Sequence, residues 1–186
     1  MAKRKITTVE EALAAVREDG WALGSVPKNL RTAEIYIEAI RQGACALVDV
    51  PKNLMTAEVC IEAVRQNGYA VSDVPEKFRT VELCIEAVKE DGRALQHVPD
   101  NLITAEMCIE AVKNSGRAFY NVPEKFRTEE MCIEAVKKDG SVLQFMPESL
   151  KTAAVCVEAV KQDGNAFSYV PEWMRDEVRR MFESGK

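Results

Sequence analysis

Six cysteines and a single histidine are the side chains of this chain best suited to metal binding or redox chemistry. No C-x-x-C motif is present and His97 is the only histidine, so a zinc site has neither the ligands nor the spacing that it needs. Tyr36 stands where a repeating cysteine would otherwise fall, which a required thiol or metal ligand would not allow. We therefore predict that the five cysteines in this register are reduced and buried as small apolar side chains, with metal or redox work as the alternative. They are Cys60, Cys84, Cys108, Cys132 and Cys156. Cys45 lies outside the register, and we expect it to be the more exposed thiol.

Two columns of glutamate recur at the same 24-residue interval, and paired carboxylates can perform acid–base catalysis. The first column contains Glu10, Glu34, Glu58, Glu82, Glu106 and Glu130. The second contains Glu38, Glu62, Glu86, Glu110, Glu134 and Glu158, each followed three residues later by Arg or Lys. This spacing favours solvated ladders of ion pairs, each worth a few tenths of a kcal/mol, over a weak cation-binding surface. No nucleophile triad, phosphate loop or nucleotide fingerprint is present, so we expect no catalytic residues, no cofactor and no metal.

All of these residues belong to one 24-residue unit, seen most clearly from Thr56 to Arg79. The unit returns without insertion or deletion, and a fixed period of about 20–50 residues is typical of stacked repeat proteins. The predicted domain organisation is an N-terminal arm, 1–7, a single solenoid, 8–175, and a C-terminal cap helix with its tail, 176–186. The seven repeats span 8–31, 32–55, 56–79, 80–103, 104–127, 128–151 and 152–175.

The pattern inside the unit predicts one long helix. Thr56 has the residue type of a helix N-cap, and Glu58 and Arg65 match the charges of the two ends of the helix dipole. Gly68 stands where a left-handed C-cap is expected. In the second repeat Gly43 comes one residue early, so we expect a shifted helix end there.

The remaining twelve or so residues of each unit are too few for a second full helix with its turns. Each repeat has a proline in this part, and the residue before proline disfavours helix, which leaves room for one or two short α or 3₁₀ turns. No segment alternates as a strand does. We therefore predict an all-α fold, an α-solenoid of seven repeats with a C-terminal cap helix.

Composition narrows the class of partner. The net charge is −5 and the pI about 5.2, whereas binding to nucleic acid or to an anionic membrane needs clustered Lys and Arg. Only Met1–Lys5 is locally basic, and no segment has the apolar length of a membrane span or a signal peptide. Unpaired thiols also need no oxidising compartment. We expect a cytoplasmic protein, monomeric by default, with no nucleic-acid or membrane partner.

The repeated pattern T-A-E-x-C-x-E-A-V-x-x-x-G-x-A-L-x-x-V-P-E-x-L resembles a tandem-repeat domain of unknown function found mainly in bacteria. The resemblance covers about residues 8–175. The period and element lengths are also similar to those of the leucine-rich-repeat variant, whose solenoid alternates α and 3₁₀ helices. Neither resemblance implies catalytic residues, in agreement with the expectation that the chain is not an enzyme.

Three positions vary from repeat to repeat while the framework stays uniform: those one, four and five residues after the glycine slot. Repeat proteins build binding surfaces in this way, although unselected surface positions also drift. Aromatic and Arg side chains, which are the usual interface anchors, are frequent there. The candidate partner-binding residues are Trp21, Tyr69, Arg93, His97, Arg117, Tyr120, Phe145 and Tyr169. The sequence thus favours a module that binds a protein or an extended peptide, and the alternative is a structural spacer or fragment of a larger repeat protein without a ligand of its own.

Overall fold

The computed structural model describes residues 6–184, so the basic segment Met1–Lys5 of the predicted arm lies outside the described residues. Within that range the chain forms α and 3₁₀ helices and no strand, which confirms the all-α solenoid class. Seven α-helices of nine or ten residues begin directly after the repeat threonines, and an eighth follows the last repeat. They are α1 (Val9–Glu18), α2 (Ala33–Arg41), α3 (Ala57–Gln66), α4 (Val81–Glu90), α5 (Ala105–Asn114), α6 (Glu129–Lys138), α7 (Ala153–Gln162) and α8 (Arg175–Ser184).

Short 3₁₀ helices follow each of the seven long helices. A six-residue 3₁₀ helix begins at the glycine in six repeats: Gly20–Ser25, Gly68–Asp73, Gly92–His97, Gly116–Asn121, Gly140–Phe145 and Gly164–Tyr169. Three-residue helices are Lys28–Leu30, Leu47–Asp49, Lys52–Leu54, Glu76–Phe78, Glu124–Phe126, Glu148–Leu150 and Glu172–Met174. The prediction of one long helix and one or two short turns per repeat is therefore confirmed.

The repeat threonine caps each of the seven long helices, as predicted. In α3, Thr56 Oγ1 accepts a hydrogen bond from the backbone N–H of Val59 at 3.2 Å. The equivalent hydrogen bond caps the N-terminus of each of the other six helices, with N–O distances of 3.1–3.4 Å. Each cap satisfies one of the backbone donors that a helix N-terminus leaves without a partner, and this local bond sets where the helix begins.

The C-terminal ends of the helices differ from the prediction. Gly43 is the only glycine with positive φ in the described part of the chain, so the expected left-handed glycine cap is wrong for the other repeats. The preceding residue ends the helix instead, in an extended conformation. Asp19, for example, donates its N–H to the Ala15 carbonyl at 2.9 Å, and its side chain accepts the N–H of Trp21 at 3.0 Å. One Asp thus closes the α-helix and opens the 3₁₀ helix.

The glycine is needed for a close approach between repeats. A Cβ atom placed on Gly116 would lie 2.6 Å from the carbonyl oxygen of Ala135 in the next repeat, and one on Gly140 would lie 2.6 Å from that of Ala159. Real Cβ atoms do not approach an oxygen so closely, because the two would overlap. Gly164, in the last repeat, has nothing within 4 Å of the same point. Glycine at positions 116 and 140 therefore permits the turn to rest on the following helix.

The second repeat ends its helix in a different way. Gly43 has φ of 67°, Ala44 donates to the Ala39 carbonyl at 2.9 Å, and Gly43 donates to the Ile40 carbonyl at 2.9 Å. This pair of bonds is a Schellman motif. It confirms the predicted shift of the helix end, and it shortens the first 3₁₀ helix of the repeat to Leu47–Asp49.

The chain divides by its internal contacts into two compact units, one ending at Glu90 and one beginning at Asp91. In the first unit, α1, α2, α3 and α4 each pack against the next, and in the second unit α5, α6, α7 and α8 do the same. Each helix buries a stripe that is almost free of solvent, such as Val59, Cys60, Ala63 and Val64 in α3. A single solenoid over 8–175 stays a prediction.

The predicted cap helix, Glu177–Glu183 with Asp176 in the N-cap position, begins earlier in the structure, at Arg175. Val178 is fully buried, as expected of a residue that covers the last repeat, whereas Met181 remains 40% exposed. No helix within residues 6–184 combines the length and the apolar character that crossing a membrane requires.

Candidate interaction surface

The predicted partner-binding residues all lie in the six-residue 3₁₀ helices, and we call the surface of these helices the turn side of each unit. In five of these 3₁₀ helices the Asp or Asn before the glycine caps the helix with its side chain. Asn67 accepts the N–H of Tyr69 at 3.0 Å, and Asp91 accepts that of Arg93 at 2.9 Å. Because these caps hold the backbone, the variable side chains project from a fixed frame.

In the first unit, Trp21 and Tyr69 line the same open cleft of about 610 Å³. Trp21 is 74% exposed and Tyr69 is half-buried. Cys45, from the intervening repeat, also lines this cleft. The three side chains occupy equivalent places in successive repeats, so the structure brings together positions that the sequence had marked as variable.

In the second unit, Tyr120 and Phe145 are in direct contact. Their ring centroids are 4.7 Å apart and the planes are nearly perpendicular, a favourable edge-to-face arrangement. They remain 40% and 56% exposed, and Tyr169 in the next repeat is 36% exposed. Large aromatic side chains that keep this much contact with solvent are available to a partner.

The two candidate arginines of the second unit are already paired. Arg93 contacts the carboxylate of Asp91 through Nε at 3.1 Å and Nη2 at 2.9 Å. Arg117 donates from Nε to Asp139 in the following repeat at 2.9 Å. Because such exposed pairs contribute little to stability, both guanidinium groups can still exchange partners. His97 is half-buried, less exposed than the arginines around it.

These pairs change the acidity of their neighbours. The hydrogen bond from Arg93 lowers the pKa of Asp91. Burial acts to raise the pKa of Asp139, but hydrogen bonds from Ser141 and Arg117 outweigh it and leave that pKa below its ordinary value. Burial raises the pKa of Tyr120, and the Asp139 carboxylate adds to this effect. The face therefore carries ionised Asp beside neutral Tyr near neutral pH.

The charged surface of the α-helices in each unit, which we call the helix side, repeats one chemistry. Glu134 pairs with Lys137 at 2.9 Å and Glu158 with Lys161 at 2.8 Å, one pair on each helix. In the first unit, Arg41 also reaches Glu62 of the next helix at 3.1 Å. The second glutamate column forms the predicted ion pairs with Lys and Arg, but it is half-buried rather than fully solvated.

The cysteine predictions are confirmed in part. All six thiols are unpaired, the five in register are fully buried, and Cys45 is half-buried. Burial raises the pKa of Cys84, Cys108 and Cys132 to about 11, so these thiols are neutral and unreactive at physiological pH. Among the described residues, no group of three or more His, Cys, Asp and Glu is placed to hold a metal ion.

Sequence reasoning missed the acidic residues that complete the turn side. Asp139 binds Arg117 from the neighbouring repeat, and Asp49 and Asp73 line the cleft beside Trp21. The sequence carries a signal for Asp139, since Asp, Asn or Ser precedes every repeat glycine except Gly43. The cap that Asp139 forms is local, but its pairing with Arg117 depends on how two repeats pack, which is why the pattern alone did not reveal it.

A protein-family model, described as a domain of unknown function (DUF4116), matches residues 80–127 and 128–175. Each match is about 48 residues long and so covers two of the 24-residue units. The doubled unit has a structural counterpart, because an arginine that binds the carbonyl before the proline recurs in every second repeat. Arg31, Arg127 and Arg175 donate from Nε to the carbonyls of Val26, Val122 and Val170, respectively, at 2.9–3.2 Å, and Arg79 donates from Nη2 to that of Val74 at 2.8 Å. The two matches together span more than half of the chain, whereas no curated protein and no solved structure matches it.

Proposed function

Because this chain belongs to the DUF4116 family, whose description assigns no activity, we propose from its surface that it is a non-enzymatic module that binds a protein or an extended peptide along its turn side. One observation carries this proposal: the turn side exposes large aromatic side chains that differ between repeats, while the helix side repeats Glu–Lys and Glu–Arg pairs. Exposed aromatic rings on a rigid frame provide much contact area at little conformational cost on binding.

The proposed partner is neither nucleic acid nor a membrane. The chain carries a net charge of −5, and phosphate groups are attracted by clustered Lys and Arg. We also propose a cytoplasmic location, which the unpaired thiols support, and a monomer as the default state. We propose no enzymatic role for the turn side, where the carboxylates of Asp91 and Asp139 are engaged as a cap and an ion pair.

A pull-down from source cells with the tagged chain tests this proposal. Replacing Tyr120, Phe145 and Tyr169 by Ala removes the exposed rings of the second unit, and we expect it to weaken binding of the captured partner by roughly tenfold or more. The matched control replaces Glu110, Glu134 and Glu158 by Gln on the helix side and should leave binding unchanged. Circular dichroism checks that both variants fold. Loss of binding in the Glu variant alone would assign the partner to the other face.

The second candidate function is a spacer without a ligand. It is favoured by the contacts that tie candidate residues to one another, namely Tyr120 with Phe145 and Arg117 with Asp139, since both join neighbouring repeats. A spacer predicts that the aromatic variant lowers the free energy of unfolding and that no partner is captured specifically. An interaction module predicts that the free energy of unfolding stays the same in the aromatic variant and that a partner is captured specifically.

A further inference from the structure

The irregular second repeat opens the cleft on the turn side of the first unit. The repeats before and after it present six-residue 3₁₀ helices, Gly20–Ser25 and Gly68–Asp73. After the early turn at Gly43, the second repeat forms only the three-residue 3₁₀ helix Leu47–Asp49 between them, so this row of helices is one 3₁₀ turn shorter there. The resulting cleft of about 610 Å³ falls within the range of about 300–1,000 Å³ that is typical of ligand pockets.

The lining of this cleft is aromatic and acidic. Trp21 and Tyr69 contribute rings, and Asp49 and Asp73 contribute carboxylates. No Lys, Arg or His is among the described residues that line it. Asp49 uses Oδ2 to accept the N–H of Ala46 at 3.2 Å, which orients its carboxylate, and both carboxylates are exposed to solvent.

We infer that this cleft receives one Lys or Arg side chain from an extended segment of a partner protein. A cation gains from stacking on an exposed indole and from charge-assisted hydrogen bonds to carboxylates, and this lining offers both. An acidic side chain would gain neither, since the lining supplies no positive charge, and a neutral donor would gain hydrogen bonds without the attraction between opposite charges. This inference rests on the proposed function and adds to it the chemistry of the partner: the segment that meets the first unit is basic.

A minimal peptide tests the cleft directly. The probe is acetyl-Gly-Ser-Gly-Arg-Gly-Ser-Gly-amide, titrated into the ¹⁵N-labelled full chain and followed by NMR. We expect shifts of the Trp21 indole N–H and of the backbone N–H groups at 46–49, with an affinity on the order of millimolar for a single side chain. The same peptide with Lys in place of Arg should bind similarly. Citrulline keeps the shape of Arg but removes its charge, and should bind roughly tenfold more weakly.

The second tryptophan is the internal control. Trp173 is 75% exposed, much like Trp21, but it lies in the second unit and outside the cleft. Equal shifts at both indoles, or equal binding of the Arg and citrulline peptides, would overturn the inference, because either result means that exposed indole binds without help from the cleft.

Variants of the full chain separate this inference from the proposed function. Cys45→Trp fills the cleft without changing its charge, and the pair Asp49→Asn and Asp73→Asn removes its charge with little change in shape. Each should reduce binding of the Arg peptide by roughly tenfold or more, while Asp100→Asn, in the second unit, should have no effect. Thermal unfolding identifies any variant that fails to fold, and the other variant then decides the test.

The partner captured by pull-down provides the last comparison. If it binds the cleft variants normally but loses affinity for the aromatic variant of the second unit, the proposed function stands and the cleft inference is overturned. If the Arg peptide binds the cleft with charge dependence but no partner is captured, the cleft inference stands and the proposed function fails.

Discussion

Among single side chains, Cys45 combines accessibility with low reactivity. Burial raises the pKa of its thiol to about 11, the Asp49 carboxylate adds to the shift, and Arg31 opposes it. Since the thiolate is the reactive form, labelling by iodoacetamide should be slow at pH 7 and should rise about tenfold per pH unit below 11. Asp49→Asn removes a negative charge near the thiol, so it should lower the pKa of Cys45 and speed its labelling at pH 8 by roughly a few-fold.

Mass spectrometry of the labelled native chain measures this prediction site by site. Asp73→Asn is the matched control, because Asp73 lines the same cleft but is not among the causes of the Cys45 shift. The five buried thiols should react only after denaturation. If all six cysteines of the native chain were labelled at one rate, the prediction that the five in-register cysteines are buried would be contradicted.

Among the secondary structure elements, the junction between a turn and the next helix is the point where a single methyl group matters most. Gly116→Ala should destabilise the chain by about 1–3 kcal/mol, because its Cβ would overlap the Ala135 carbonyl oxygen at 2.6 Å. Gly164→Ala is the same change at the same place in the repeat, with nothing within 4 Å. It should be neutral or stabilising by up to about 1 kcal/mol, since alanine restricts the unfolded chain.

Urea denaturation of both variants measures the difference in the free energy of unfolding. Neither glycine has positive φ, so backbone strain does not separate them and only the contact with the next repeat does. An equal loss of stability in both variants would contradict the close-approach explanation.

For the folded chain as a whole, the column of buried thiols predicts sensitivity to alkali. Burial raises the pKa of Cys84, Cys108, Cys132 and Cys156 from 9.0 to about 11. Between these values the unfolded chain loses protons that the folded chain keeps. Their contribution to stability is therefore full below pH 9 and is lost as the pH rises toward 11, by up to about 1.4 kcal/mol per pH unit for each thiol.

Cys108→Ala tests this at one position. The variant should be less stable than the parent at pH 7 because of the cavity, but its free energy of unfolding should fall less steeply between pH 9 and pH 11. Val112→Ala removes buried volume from the same helix without removing an ionisable group, so it should retain the steep slope of the parent. If the free energy of unfolding fell equally steeply with pH in all three proteins, the predicted link between thiol ionisation and stability would be contradicted.

The amino-acid sequence by itself determined the helices, their order and the burial of the cysteines. Thr56 and its equivalents cap the helices by accepting a hydrogen bond from the backbone N–H three residues later. Proline limits the length of the turns because it disfavours helix at the residue before it. Such local interactions act within one turn of chain, so a pattern of residue types is enough to predict them. The same reasoning predicted the shifted end of α2 from the early position of Gly43.

Only the tertiary structure decided how one repeat meets the next. Gly116 resembles a helix cap in sequence, but its neighbour is the Ala135 carbonyl, which a local pattern does not identify. Arg117 finds Asp139 across the same boundary. The cleft beside Trp21 is lined by residues of three successive repeats, and the middle repeat has the shortened 3₁₀ helix. These features depend on the distance in space between two segments that are far apart in sequence. The packing of the repeats sets that distance, and neither segment determines it alone.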